Sequence, residues 1–234
     1  MNIFKIFSIF LKSITHKKFY YSYGCIDAII QNIFKNKQKG FYVDVGCGHP
    51  IKNNNTYLLN KKGWGGVNID LDQDNIDLFN IYRKNDYNFV SAVSDKVKDV
   101  DLYFYHSKSA INTINKNVAD HQKAIVTNIK KIQSNTLNNI LDKSPFNNKK
   151  IDFLTIDVEG SELSVLKSFD FIKYSPKVIV VEFLDLSLSK LEIKNLNISN
   201  AMNSEIHKLV ISKGYTLSNM IHSDLVYINN DFRD

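Results

Sequence analysis

Arginine is nearly missing from this chain. Of 30 basic residues only Arg83 and Arg233 are arginines, and the net charge of +6 is carried by lysines scattered among asparagine and isoleucine. Proteins that read nucleic-acid sequence rely on arginine forks for phosphates and guanine edges. The charge therefore excludes nucleic acid as the expected partner and leaves a mild preference for anionic substrates or membrane surfaces. Cysteine is also scarce. Cys25 and Cys47 provide neither a disulfide framework nor a zinc spacing, and the expected setting is a reducing cytoplasm. The three prolines, Pro50, Pro145 and Pro176, each fall near an expected element boundary. Repeats, low-complexity linkers and long charge blocks are absent. The apolar N-terminus "MNIFKIFSIFLKSI" is broken by Lys5 and Lys12, lacks a small-residue cleavage site and is too short to span a bilayer. Ile3, Phe7, Phe10 and Ile14 recur at helical spacing, so residues 1–14 are expected to form an amphipathic helix. Docking on the domain is the plainer reading of it, and peripheral contact with the inner membrane is the sharper one.

What is present suits one domain. The chain has 234 residues, 44% of them hydrophobic and 23% charged, enough for a sizeable core under an ordinary soluble surface. "GFYVDVG", "WGGVNID", "YNFVSAVSD", "IDFLTIDV" and "KVIVVEFL" read as buried strands. "NTYLLNKKG", "DQDNIDLFNIYRKN", "TLNNILDK", "GSELSVLKSF" and "NAMNSEIHKLVISKG" read as helices between or after them. "VDLYFYHS" and "IKKIQSN" read as more exposed strands, residues 108–128 as the loosest segment, and "YTLSNMIHSDLVYINND" as a terminal hairpin. Strands alternating with helices predict an α/β fold with a doubly wound, mostly parallel sheet and an antiparallel edge from the hairpin. Residues 1–38 are expected as a helical extension and residues 39–234 as the domain. Ligands in such sheets gather beyond the carboxyl ends of the strands.

Those ends carry an ordered set of polar residues. "VDVGCG" places Asp44 before Gly46 and Gly48, while Ile51 stands where a dinucleotide fingerprint has its third glycine. A carboxylate so near the loop would repel a pyrophosphate and attract a cation. Asp70 ends the second strand at about the distance at which an acid holds ribose hydroxyls. Ser94 and Asp95 end the third, where they can read an adenine edge. Together these describe a nucleoside bearing positive charge instead of phosphates, and S-adenosylmethionine answers that description. Asp157 and Glu159 end the fourth strand two residues apart, where uncompensated burial of acids is costly. Glu162 reads as compensation of the following helix dipole.

The motifs "FYVDVGCGHPIKNNNTYLLNKKGWGGVNID", "SAINTIN", "IKKIQSNTLNNILD" and "IDFLTIDVEGSELSVLKSF" resemble those of the FkbM-type S-adenosylmethionine-dependent O-methyltransferases, over roughly residues 40–184. The His-Pro, Asn-Thr and Gly-Trp-Gly-Gly elements resemble a branch associated with bacterial surface polysaccharides. The resemblance implies a seven-stranded, Rossmann-like class I methyltransferase sheet. It implies cofactor contacts at Asp44, Gly46, Gly48, Asp70, Ser94 and Asp95, and places Asp157 and Glu159 beside the transferred methyl group. Cys47 and Gly48 depart slightly from the family pattern.

A sugar hydroxyl needs a base or a metal to lose its proton at neutral pH. Two arrangements fit the sequence. In one, Asp157, Glu182 and Glu159 hold a divalent cation such as Mg²⁺. In the other, His49 or His106 is the base. Asn112, Thr113 and His106 are expected to line the acceptor pocket, with residues 108–128 closing over it. The rival readings are a nucleic-acid methyltransferase, a non-catalytic nucleoside binder and an NAD-dependent oxidoreductase, the last disfavoured by Asp44 and Ile51.

Overall fold

The computed structural model describes residues 20–122, 124–188 and 192–233. The expected helix at residues 1–14 lies outside them. The strands are β1 (Phe41–Val45), β2 (Gly65–Asp70), β3 (Tyr87–Val90), β4 (Ala92–Val93), β5 (Lys98–Phe104), β6 (Asn128–Asn135), β7 (Phe153–Ile156), β8 (Val178–Glu182), β9 (Tyr215–Ile221) and β10 (Asp224–Asn229). The helices are α1 (Ile26–Ile33), α2 (Tyr57–Lys61), α3 (Gln73–Tyr82), α4 (Lys116–His121), α5 (Leu137–Lys143), α6 (Glu162–Lys167), α7 (Phe171–Tyr174), α8 (Ile198–Asn203) and α9 (Glu205–Ser212). Among the described residues no helix is long and apolar enough to cross a membrane.

Seven strands form one sheet in the order β3-β2-β1-β7-β8-β10-β9. Pairing is parallel from β3 to β8, and β10 runs antiparallel to both β8 and β9. This is the doubly wound sheet that the alternation of elements predicts. The hairpin is not merely an edge, because β10 is inserted between β8 and β9. The strand order reverses between β1 and β7, so a crevice opens there at the carboxyl ends.

Period-two alternation sorts the core onto the two faces. Phe41, Val43, Val45, Leu154, Ile156, Ile179 and Val181 pack under α5, α6, α7 and α9 through Leu137, Ile140, Val165, Leu166, Tyr174 and Val210. Tyr42, Phe153, Val178, Val180 and Val226 pack on the opposite face under Ile26, Ile30, Phe34, Leu59 and Trp64. Residues 26–34, part of the expected extension, are thus built into the core of the sheet.

Three local expectations change. The third strand divides: β3 stays in the main sheet, while β4 pairs with β6, which also pairs antiparallel with β5, in a second three-stranded sheet. The loose segment holds α4, whose first amides are capped by the Asn115 side chain. The single helix expected near residues 200–213 breaks at Ser204, whose hydroxyl caps His207 and starts a new helix.

Alternation also decides where Asp44 points. It shares a face with Tyr42, and its Oδ2 accepts from Asn54 Nδ2 at 3.0 Å and Thr56 Oγ1 at 2.8 Å. Behind them lies Arg83, 3% exposed. It donates to Thr56 Oγ1 (2.6 Å), Asn54 Oδ1 (2.7 Å) and twice to the Pro50 carbonyl (2.6 and 3.1 Å), and it lies 4.9 Å from the Phe79 ring centre. One guanidinium therefore ties the loop from Pro50 to Thr56 to α3. Replacing Arg83 by Ala leaves those acceptors and the Asp44 carboxylate uncompensated. It is expected to lower unfolding free energy by about 3 kcal/mol, read from the urea midpoint. Arg83→Lys recovers only part of this, since an ammonium lacks the fork. A loss too small to move the midpoint would show the network to be dispensable.

Candidate active site

A cavity of about 390 Å³ occupies the crevice at the strand reversal. Its walls combine the loop Gly46–His49, the end of β2 at Asp70, residues Ser91–Val93, the turn Lys108–Asn112, the end of β7 at Asp157–Glu159, and Asp224. Strand ends that lie far apart in the sequence thus meet in one place.

The glycine loop is shaped for close approach. Gly46 has φ +81°, and a Cβ built on it would stand 1.6 Å from the Asp157 carbonyl oxygen, so only glycine fits between β1 and β7. Gly48 has φ +55°, and a Cβ there would meet nothing within 4 Å. One glycine is packed against protein, and the other leaves room for a ligand. The Gly48 amide donates to Asp70 Oδ2 at 2.8 Å, and Asp70 Oδ1 accepts from the Asp72 amide at 2.8 Å. Burial raises the Asp70 carboxyl to about 6, against the pull of these amides. Asp70 joins the glycine loop to the start of α3 and still faces the cavity.

Asp44 does not line the cavity. It is 4% exposed and turned into Asn54 and Thr56. Burial raises its carboxyl to about 6, opposed first by Arg83. Its work is to hold the loop, and the expected attraction of a cationic cofactor to this acid is not supported by its orientation. Ser94 and Asp95 also lie away from the cavity. Ser94 donates to Asp95, which pairs with Lys98 on the second sheet. The chain leaves the main sheet after Val90, so Ser91, Ala92 and Val93 reach the cavity instead.

The acids at the other end form a cluster. Carboxylate oxygens of Asp157, Glu159 and Glu182 lie within 4.8 Å of one another. Glu162 closes the turn beneath them, its Oε1 accepting from the amides of Val158 (3.0 Å) and Gly160 (2.9 Å). This is a specific anchor for the turn, beyond the dipole compensation read from the sequence. Asp224 stands opposite Glu182 in the β8–β10 register. Burial, then the Asp157 charge and then Glu162, raises Glu159 to about 9. Burial raises Glu162 to about 7, and burial with the Asp157 charge raises Asp224 to about 7. Burial also raises Glu182, and desolvation among the surrounding groups raises Asp157, although its side chain is open to the cavity. Glu182 Oε1 accepts from Ser223 at 3.2 Å, whereas its buried Oε2 meets no donor among the described residues unless a proton is shared with Asp157.

Glu159 itself is held at φ +55°, a costly conformation for a side-chain-bearing residue. Thr113 Oγ1 donates to its carbonyl at 2.7 Å, and Asn115 Nδ2 donates to the Gly160 carbonyl at 2.5 Å. Thr113 therefore positions the acid turn and does not line the cavity. Asn112 does line it, although its amide is engaged with the Tyr105 amide and the His106 carbonyl. His106 is exposed, bonded to the Ser107 carbonyl and away from the cavity.

His49 lines the cavity in a role different from that expected. Its Nδ1 accepts from the amides of Ile51 and Lys52, both at 3.1 Å. The remaining proton sits on Nε2, so the ring offers the cavity a donor and not a base. Burial, then Lys52 and Lys108, holds its pKa below the ordinary 6.5. Nitrogen-15 NMR is expected to show His49 titrating below that value and, when neutral, protonated on Nε2. Titration above it, or the opposite tautomer, returns the base role to this residue.

The sequence pattern does not mark two residues that shape the site, Asp224 on the cavity wall and Arg83 behind the loop. Arg83 carried one signal, its rarity in a lysine-rich chain. Asp224 begins its strand, and a search of carboxyl ends misses a residue whose strand runs the other way.

No curated protein sequence matches the chain. Among solved structures it is similar to a TehB-like SAM-dependent methyltransferase from Corynebacterium glutamicum, at 10% identity, TM-score 0.43 and 96% coverage of both chains. It is similar also to monomeric WbdD, at 11% identity and TM-score 0.42, over 88% of this chain and 40% of that one. The N-terminal domain of human METTL16 matches at 12% identity and TM-score 0.41, over 90% and 69% of the two chains. A sequence-family model, the methyltransferase FkbM domain, matches residues 44–217, from Asp44 through the glycine loop and the acid cluster into β9. The seven-stranded, Rossmann-like sheet is that of the class I methyltransferases, and the chain belongs to the FkbM methyltransferase family.

Proposed function

We propose that this protein transfers a methyl group from S-adenosylmethionine to a hydroxyl oxygen of a sugar, in the building of capsule, lipopolysaccharide or a related surface glycan. The observation that carries the reading is the single cavity that unites the open face of Gly48, the Asp70 carboxylate and the acids of β7 and β10. Asp70 takes the ribose hydroxyls, and Ser91–Val93 take the adenine. The acceptor hydroxyl is received at the Asp157 end. Methyl transfer forms an oxygen–carbon bond as the carbon–sulfur bond breaks in line, so the chain's task is to hold the hydroxyl at attack distance and accept its proton. A neighbouring carboxylate of the cluster is the acceptor of that proton.

The same acids suit a divalent cation such as Mg²⁺. Asp157, Glu159 and Glu182 are oxygen donors grouped within 4.8 Å, and the buried Glu182 Oε2 meets no N–H or hydroxyl donor among the described residues. A bound cation would supply a Lewis acid that lowers the hydroxyl pKa. The two uncrosslinked cysteines agree with a cytoplasmic setting. The scarcity of arginine favours a small-molecule sugar, nucleotide sugar or glycan over nucleic acid.

Calorimetry is expected to show binding of S-adenosylhomocysteine and none of NAD. Asp70→Asn weakens that binding by about tenfold or more. NAD binding without S-adenosylhomocysteine binding would overturn the reading. The acceptor is identified by mass spectrometry of a methylated product from nucleotide sugars and glycan fragments, with methylated RNA or DNA as the contrary outcome.

Asp157→Asn is expected to lower turnover by about 10²–10⁴-fold while keeping S-adenosylhomocysteine affinity. Equal losses in both would assign Asp157 to binding alone.

The acid cluster also fixes a pH dependence. In the cation-free protein Glu159, Glu162 and Asp224 bind protons more tightly folded than unfolded, with folded values of about 9, 7 and 7. Stability therefore falls as pH rises from the unfolded carboxylate range toward about 9. The melting temperature in chelator should fall over that range. Mg²⁺ should raise it most at the alkaline end, and unchanged melting and turnover on adding Mg²⁺ would remove the metal from the proposal.

A further inference from the structure

The acid cluster and Asp70 are not the only charged groups on the cavity wall. Lys52, from the loop after β1, and Lys108, from the turn after β5, stand on it as well. They line the cavity together with His49, Asn53 and Ser109. Lys37, Lys98, Lys116, Lys173, Lys177 and Lys208 each pair with an acid. The ammonium groups of Lys52 and Lys108 have neither an ion pair nor a hydrogen bond among the described residues.

Their placement is built by the backbone. Lys108 sits at φ +58°, and its amide donates to Asp72 Oδ2 at 2.6 Å. Ser107 donates its hydroxyl to Asp74. The acids at the start of α3 are thus engaged by the amide and hydroxyl of the turn, not by the Lys108 ammonium. The Lys52 amide is fixed on His49 Nδ1, and both lysines depress the proton affinity of that ring. Two unpaired ammonium groups and an Nε2–H donor therefore bear on the same part of the cavity. A neutral sugar gives them nothing to neutralise. The amino-acid end of the cofactor is a zwitterion whose carboxylate already has an ammonium beside it. Two uncompensated cations match a group with more negative charge.

We propose that Lys52 and Lys108 bind a phosphate or carboxylate carried by the acceptor, so that the substrate is an anionic sugar whose hydroxyl is presented to the Asp157 end. This rests on the methyl-transfer reading above and names its substrate class. The same oxyanion chemistry has a second source in the cofactor's own carboxylate, and the test separates the two.

Pyrophosphate is titrated by calorimetry into protein saturated with S-adenosylhomocysteine, for the wild type and for Lys52→Gln/Lys108→Gln. S-adenosylhomocysteine is titrated into both separately. The expected result is pyrophosphate binding that weakens about tenfold or more in the double variant, with S-adenosylhomocysteine affinity kept within about twofold. Absence of pyrophosphate binding to the wild type, or equal binding to both proteins, overturns the proposal. A tenfold loss of S-adenosylhomocysteine affinity in the variant also overturns it, by assigning the lysines to the cofactor. Failure of the wild type to bind S-adenosylhomocysteine at all would instead refute the methyl-transfer reading. Circular dichroism confirms that the variant is folded, because both lysines are solvent-exposed.

Discussion

The buried guanidinium of Arg83 is the contact on which the rest of the site depends. A loop from Pro50 to Thr56 has little apolar surface with which to hold itself, yet it must keep His49, Lys52, Asn53 and Asn55 on the cavity wall. Arg83 supplies four of the loop's hydrogen bonds from one side, and Asp44 supplies two acceptor contacts from the other. The charges compensate through Asn54 and Thr56 without touching. Each is buried at a cost that its partners offset.

The site is also an electrostatic contrast. Three carboxylates crowd together, with Asp224 and Glu162 adding to them, while the same cavity is also lined by Lys52 and Lys108, which have no ion pair among the described residues. Folding has concentrated like charges that water would otherwise separate. Burial first, and then the neighbouring carboxylates, raise Glu159, Glu162 and Asp224. Such shifts are ordinary where binding or catalysis sets the arrangement.

Much of the fold was legible in the sequence because buried strands and their glycine ends leave strong local marks. β1, β2, β7 and β8 fall where the apolar runs predict. Gly46, Gly48, Asp70, Asp157 and Glu159 line one cavity as the strand-end rule requires. The misses share a cause. Asp44 ends an apolar run as Asp70 does, but the direction of its side chain depends on tertiary partners at Asn54 and Thr56. Ser94 and Asp95 continue an apolar run that is one strand in sequence and two in space, because the chain changes sheets after Val90. His49 stands beside the site, but its lone pair is spent on the amides of Ile51 and Lys52, which no residue spacing reveals.

The contact between Gly46 and the Asp157 carbonyl has a mechanical consequence. Where an added methyl group would overlap backbone, β1 and β7 have no slack between them, and the floor of the crevice is a fixed anvil. Residues 107–115 are fastened differently, by side-chain hydrogen bonds to Asp72, Asp74, Glu159 and Gly160. Such bonds can be exchanged for water one at a time. The cavity thus joins a floor with no free space to a stretch of wall that is held bond by bond, from the start of α3 to the acid turn, and by the backbone bridge between Thr113 and Tyr103.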